Sequence, residues 1–458
     1  MGFDLLVKSA KIVSSQGVAE GSLLVCSGKV AAILAPGYDL DGVDVAHAID
    51  ATGLLAVPGM VDLHVHIGEP GKTDKEDIVT GTSAAAAGGV TTAVIMPNCV
   101  PPVNSRESLI ARADLFRRKS LVDFALLGGA GGESLDQIVE QADAGAVGYK
   151  SYVGAYREER RGLICQGTGD IYEVLSRVRE TGRFVGYHCE DSGIIGRRVH
   201  HLVSQGRVDF RAYHESRPEF TEVLSTLPLM EVALQVGARL YLVHISSPRT
   251  LEFAELWREE GADVTIETCP HYLLFDEEDT ARLGPYAVVA PPLRSRETVQ
   301  RLWDVLNEGL IDTIATDHAP GTPEERALGQ KNIFKAGGGL PALETVWPTL
   351  MNEVNKGRLT LEKLVFLLAE NPARVARLYP RKGCLSPGSD ADIVLMDQHE
   401  VHRLRAGEMY TKHTDAATIF DGMEVKGRVK AVLQRGRVIS RDGRLVSDRP
   451  SPAMWIRS

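Results

Sequence analysis

The sequence predicts an α/β fold, a (β/α)8 TIM-type barrel with a small β-sandwich formed by both termini. Three observations carry this. Eight short apolar runs alternate with helix-like segments from about Leu54 onward, which is the count of a closed barrel of parallel βαβ units. Strand-like alternation precedes this region and returns after about Pro380. The chain of 458 residues is long enough for a large barrel and a second small unit. A doubly wound sheet shares the same alternation, and period alone does not separate the two.

In chain order, Asp4–Val13 and Ser22–Leu34 alternate as strands, with Gly and Ser between them. The barrel runs are Leu54–His66, Thr91–Met96, Val122–Leu127, Ala146–Lys150, Phe184–His188, Leu240–His244, Asp263–Thr268 and Asp312–Asp317. Helical patterns lie between them, among them Asp77–Ala87, Glu107–Arg118, Ile171–Thr181 and Arg296–Leu306. Further on, a Gly-Ser-Asp turn precedes the apolar Ile393–Met396, and AVLQRGRVISRDGRLV reads as a hairpin with Asp442-Gly443 at its tip. Two arms that each supply a few strands share one small sheet domain. The expected division is therefore 1–53 and 381–458 for the sandwich and tail, and 54–380 for the barrel.

Composition narrows the function classes. With 51 basic against 61 acidic residues the net charge is −10, which argues against a phosphate-tracking surface. The six cysteines are scattered without a CxxC pair, so neither a disulfide framework nor a thiolate zinc site is indicated. The start, MGFDLLVKSAKIV, lacks signal-peptide order. No apolar run approaches the ~18 residues of a membrane span. A cytoplasmic protein is expected.

Most of the thirteen histidines have ordinary explanations. His47, His200, His201, His214, His399, His402 and His413 stand in polar surroundings and are expected at the surface. His64 and His66 close the first barrel run and, at strand period two, face the same way. Lys150, His188, His244 and Asp317 close the fourth, fifth, sixth and eighth runs. The carboxyl ends of barrel strands are where active sites form. Any one of these residues alone could be a satisfied rim residue, but six at corresponding ends point to a divalent metal centre. Imidazole and carboxylate suit zinc and related ions. An ammonium cannot ligate; beside cations Lys150 is driven toward the neutral amine, which could take up carbon dioxide and bridge two metals as a carbamate. A salt bridge to Asp317 or Glu190 is the other reading of this lysine.

HVHIGEPG, the strand-end lysine, the two single histidines and TDHAP resemble the cyclic amidohydrolases of the amidohydrolase superfamily, the group of dihydroorotase, allantoinase, hydantoinase and dihydropyrimidinase. The likeness extends through GTSAAAAGGVTT, IETCPHYLLF, VAPPLR and GCLSPGSDADIVL, nearly the whole chain. It implies the barrel and two-armed sandwich already read from texture. It also implies two divalent ions, zinc by family habit. His64, His66 and Asp317 would hold one and His188 and His244 the other, with Lys150 as an N6-carboxylysine bridging them beside a hydroxide. Asp317 would shuttle the proton from that hydroxide to the leaving ring nitrogen. Hydantoinases place a tyrosine five residues after the lysine; here Ala155 stands there, flanked by Tyr152 and Tyr156. Tyr152, Tyr156, Gly68, Asn98 and Pro292 are the implied substrate contacts.

Dihydroorotase carries an arginine where this chain has Gly68, so its carboxylate clamp is missing. Lys72 and Arg294 are the conceivable substitutes. TDHAP departs from the SDHSP of allantoinases, while the second half resembles allantoinases and L-type hydantoinases. A neutral five-membered cyclic ureide, allantoin or a 5-substituted hydantoin, is the expected substrate, with dihydroorotase or dihydropyrimidinase activity as the alternative. A non-catalytic assembly protein of the same fold is disfavoured by retention of all six ligands, and deaminases by the presence of Lys150. Phosphotriesterases keep such a lysine and differ in IETCPHYLLF and VAPPLR. A homodimer or homotetramer is common in the group.

Overall fold

The computed structural model describes residues 2–38, 43–154, 160–446 and 453–457; Tyr156 and Ala155 lie outside them. The N-terminal arm forms β1 (Phe3–Ser14), β2 (Gly17–Cys26), β3 (Lys29–Leu34), β4 (Val45–Asp50) and β5 (Leu55–Pro58). Ser27 and Gly28, both at positive φ (52° and 76°), split the Ser22–Leu34 run into a hairpin. The short VAHAID strand β4, which the sequence reading missed, lies parallel to β1.

The Leu54–His66 run is divided between two sheets. β5 pairs with the terminal sheet, and after Gly59 alone the chain enters the barrel as β6 (Met60–Val65). A Cβ at Gly59 would collide with the Thr91 side chain, so only glycine lets the backbone pass so close. The barrel continues with β7 (Val90–Ile95), β8 (Asp123–Gly129), β9 (Gly148–Val153), the short β10 (Ile164–Cys165) beside β9, β11 (Phe184–His188), β12 (Arg239–Leu242), β13 (Val264–Thr268) and β14 (Thr313–Ile314). The eight main strands are neighbours in chain order. A parallel bridge between Val65 and His318 joins the last to the first, and the His66 N–H donates to the His318 carbonyl at 2.9 Å. That closure excludes the doubly wound alternative.

The intervening helices start where side chains can satisfy their free N–H groups: Asp77 accepts from the Thr80 amide, Ser105 from that of Ser108 and Ser295 from that of Thr298. Their apolar faces pack on the barrel in one large core that includes Ile78, Leu109, Phe116, Val174, Leu302 and Trp347. Among the described helices none is long and apolar enough to cross a membrane.

The C-terminal arm adds β15 (Ile393–Arg403), β16 (Glu424–Gln434), β17 (Arg437–Arg441) and β18 (Arg444–Leu445). The expected hairpin has two tight turns rather than one: Arg435-Gly436 joins β16 to β17, and Asp442-Gly443 joins β17 to β18, all four residues at positive φ. The sheet runs β18-β17-β16-β15-β5-β1-β2-β3, so both arms share it. The tail returns to the barrel, where Trp455 pairs with Phe124 of β8. Where the barrel meets the sheet, buried Lys382 lies between Asp123, Asp390 and Asp392 at 2.7, 3.1 and 2.6 Å. The connection between β15 and β16 reaches over to the loop after His66. There Thr411 Oγ1 donates to Glu76 Oε2 at 2.6 Å, and His318 Nε2 lies 3.1 Å from the same oxygen.

Candidate metal centre

The site gathers at the carboxyl end of the barrel. Asp62 in β6 accepts from the amides of His64 and Thr316, both at 3.1 Å, and from Thr316 Oγ1 at 2.6 Å. Burial pushes its pKa up to about 6. These bonds lock the first strand to the segment carrying Asp317. As a result His64 Nε2 and His66 Nε2 each lie 3.1 Å from Asp317 Oδ1. Opposite them, His188 Nδ1 and His244 Nε2 face each other at 2.9 Å. Asp317 and His244 both sit at positive φ (47° and 44°), a backbone conformation that costs non-glycine residues energy and clusters at functional sites.

Three of the four imidazoles are oriented from behind, while His244 Nδ1 has no hydrogen-bond partner among the described residues. His64 Nδ1 meets Glu267 Oε1 at 2.7 Å, and the same carboxylate accepts from the His244 amide at 2.9 Å and the Tyr241 hydroxyl at 2.6 Å. His66 Nδ1 meets Asn98 Oδ1 at 2.8 Å. His188 Nε2 meets Glu190 Oε2 at 3.1 Å, and Arg217 donates to that oxygen at 2.6 Å. With the outer nitrogens donating, the inner ones of His64, His66 and His188 present lone pairs, the arrangement that fixes a metal-binding tautomer. Burial lowers the pKa of His66, brings His188 to about 4 and takes His244 well below the usual range. These three rings are therefore neutral near pH 7, as metal ligation requires.

Lys150, inside the fourth barrel strand β9, is 1% exposed. Its Nζ has no hydrogen-bond partner among the described residues, so the expected alternative of an ion pair with Asp317 or Glu190 is not formed. Burial lowers its pKa to about 8, against the pull of Asp317 and Glu267. A buried, unpaired amine among converging lone pairs and a carboxylate is a donor set that fits divalent cations.

The family model described as the amidohydrolase family matches residues 55–439. The chain belongs to the amidohydrolase family. An L-hydantoinase of Paenarthrobacter aurescens is 36% identical over 446 residues, covering 97% of this chain and 96% of that one. An allantoinase of Rubrobacter xylanophilus is 35% identical over 455 residues, with 97% and 96% covered. The solved L-hydantoinase (dihydropyrimidinase) from Arthrobacter aurescens superposes with a TM-score of 0.95 at 35% identity over 100% of both chains. A D-hydantoinase (dihydropyrimidinase) from Thermus sp. gives 0.88 at 28% identity over 97% of each.

Within this amidohydrolase the implied substrate contacts fare unevenly. A Cβ on Gly68 would collide with the Lys72 carbonyl; the Gly68 carbonyl accepts from the Lys72 amide at 2.9 Å, so this glycine serves a tight turn. Asn98 is engaged by His66. Pro292 is buried, and Tyr156 lies outside the described residues. Tyr152 does face the centre: its ring lies 5.6 Å from that of His188, with Lys150 Nζ 4.9 Å and the Arg160 guanidinium 4.1 Å from its centroid. Neither substitute cation is a clamp at Gly68. Lys72 Nζ bonds the Asn98 carbonyl at 3.3 Å, and Arg294 bonds Ser246 Oγ at 2.9 Å and the Arg217 carbonyl at 2.8 Å. His214, expected at the surface, is half-buried, and burial brings its pKa to about 4.

Sequence reading missed Glu267, Asp62 and His271. Asp62 lies in the Leu54–His66 run and the other two in IETCPHYLLF, where strand alternation could have marked Asp62 and Glu267 as inward-facing beside the candidate ligands. Arg217 lies on no barrel strand, and nothing in its local sequence signals its role.

Proposed function

We propose that the protein is a hydrolase that opens a cyclic amide or ureide ring. His64, His66 and Asp317 would hold one divalent ion and His188 and His244 a second, with Lys150 as an N6-carboxylysine supplying a further anionic ligand. The observation that carries this reading is the buried Lys150 Nζ, unpaired among the described residues and close enough to Asp317, His188 and His244 to interact with each electrostatically. The nitrogen-rich donor set favours zinc. When bound, the ions supply Lewis acidity to an amide carbonyl and ionise water near neutral pH.

The protein's own part follows from its geometry. The carboxyl of Asp317 stands well below the usual carboxylate range despite its burial, so it rests as a carboxylate able to accept a proton. It takes one from the attacking water and returns it to the departing ring nitrogen, which is a poor leaving group as an anion. Tyr152 forms one wall of the pocket. Without a clamp at Gly68, a neutral five-membered ureide such as allantoin or a 5-substituted hydantoin fits best. The likeness to the two solved hydantoinases that are also called dihydropyrimidinases favours a six-membered ring as the second reading.

The deciding experiment is hydrolysis of allantoin, hydantoin, 5-substituted hydantoins, dihydrouracil and dihydroorotate by metal-loaded enzyme. Turnover of one of the first three supports the reading, and silence towards all five refutes it.

A further inference from the structure

The seventh barrel strand, β13, ends in a short helix, Pro270–Leu274, that carries His271. Its side chain is 1% exposed. Neither ring nitrogen has a hydrogen-bond partner among the described residues. One of them lies within 4.8 Å of an Asp317 carboxylate oxygen and of Cys269 Sγ. The ring packs against that of Tyr272, at 4.3 Å between centroids. Tyr272 is itself anchored by donating to the Pro291 carbonyl at 2.8 Å, so His271 is held in place with both polar atoms left open. Leaving a buried polar atom unpaired costs about 1–3 kcal/mol, and here there are two. A valine or leucine would fill the same space without that penalty.

Cys269 does not account for the ring. Burial pushes its thiol well above the usual range, so it stays a neutral, weak hydrogen-bonding group. The open nitrogens point to a partner that arrives with the substrate, on the Asp317 side of the pocket. We propose that His271 is a further catalytic residue, a neutral imidazole that accepts a hydrogen bond from the ring N–H of the scissile amide next to Asp317. This rests on the cyclic-amide reading given above.

The balance is simple. The C–N bond breaks and its electron pair goes to nitrogen. The proton held by Asp317 passes to that pair. His271 begins and ends neutral, since it only receives the hydrogen bond of the N–H already present. Holding that hydrogen on one side turns the nitrogen lone pair towards Asp317.

The test uses metal-loaded full-length enzyme with His271→Phe and His271→Gln, scored by kcat, KM, metal content and thermal midpoint on the best cyclic substrate of the wild type. Phe keeps a planar ring without polar atoms, and Gln keeps a hydrogen-bonding end. The expected result for Phe is unchanged metal content and midpoint, KM within about threefold and kcat lower by about 10²-fold, at the lower end of what such groups contribute. Gln should recover at least about tenfold of that loss. A Phe variant with kcat within about threefold of wild type overturns the proposal. So does a loss of rate that only tracks lost metal or a lowered midpoint, or a Gln variant no better than Phe. If the wild type hydrolyses no cyclic amide, the reading of function falls and this inference falls with it. An active wild type with an equally active Phe variant removes the inference alone.

Discussion

Glu267 Oε1 lies 2.7 Å from His64 Nδ1 and accepts the backbone N–H of His244 at 2.9 Å. One buried carboxylate thus fixes a side chain from one half of the donor set and the main chain of the other. Glu267→Gln should weaken metal binding by about 10–100-fold, the usual cost of removing an outer partner of a ligating histidine. Competition with a chelator measures it, and an unchanged affinity would assign Glu267 to packing alone.

Lys150→Ala should lose both activity and most of the bound metal, because on the proposed reading it supplies the anion shared by the two ions. The wild type should carry about two ions per chain. Elemental analysis of both proteins decides this, and short-chain carboxylates should restore some turnover to the variant. Wild-type metal content in the alanine variant would make the lysine merely structural.

Asp317→Asn should preserve the fold and lower kcat by about 10²–10⁴-fold, since an amide cannot carry the proton. A rate within tenfold of wild type, with metal content unchanged, would move the proton transfer to another group.

The turn at Gly68 makes its own forecast. Any side chain there meets the Lys72 carbonyl, so Gly68→Arg should lower the thermal midpoint and fail to create a carboxylate clamp. Overpacking of this kind typically costs about 1–3 kcal/mol. Wild-type kcat/KM for dihydroorotate should be at least ~100-fold below that for the best neutral ureide, about 2.7 kcal/mol of transition-state binding. Efficient dihydroorotate hydrolysis would instead implicate Arg160, stacked on Tyr152.

Glu344 gives a pH signature away from the metal site. Burial raises its pKa to about 8, although it accepts the Tyr410 amide at 2.8 Å. The folded state therefore holds this proton more tightly than the unfolded chain, whose glutamates titrate near 4.3. Its contribution is most favourable below that value, declines as pH rises and levels off above about 8. Glu344→Gln should flatten the fall in unfolding free energy between pH 5 and pH 9 by up to a few kcal/mol. Parallel curves for the two proteins would show that Glu344 ionises freely.

The barrel was legible because its strands are buried on both sides and read as short apolar runs, five of the eight ending in a histidine, lysine or aspartate. His64, His66, Lys150, His188, His244 and Asp317 stood out because strand ends are fixed by local sequence. Other features depended on tertiary placement. β4 is only six residues with an exposed pattern, so nothing in VAHAID marked it before β1 supplied its partner. Gly68 looked like a deleted function because the carbonyl that excludes a side chain comes from four residues onward. Asn98 looked available because its contact, His66, lies 32 positions away. Glu190 was weighed against Lys150, but the fold gives it to Arg217 and His188.

Gly59 is the sole residue between β5 in the terminal sheet and β6 in the barrel, and His64 follows only five positions later. The sheet therefore cannot be removed or exchanged as a cassette: any junction placed near residue 59 would cut the strand that presents His64. Recombination between relatives should tolerate crossovers in the helical half of the barrel far better than at this seam. The two architectural units are inherited together because a single taut stretch of backbone serves both.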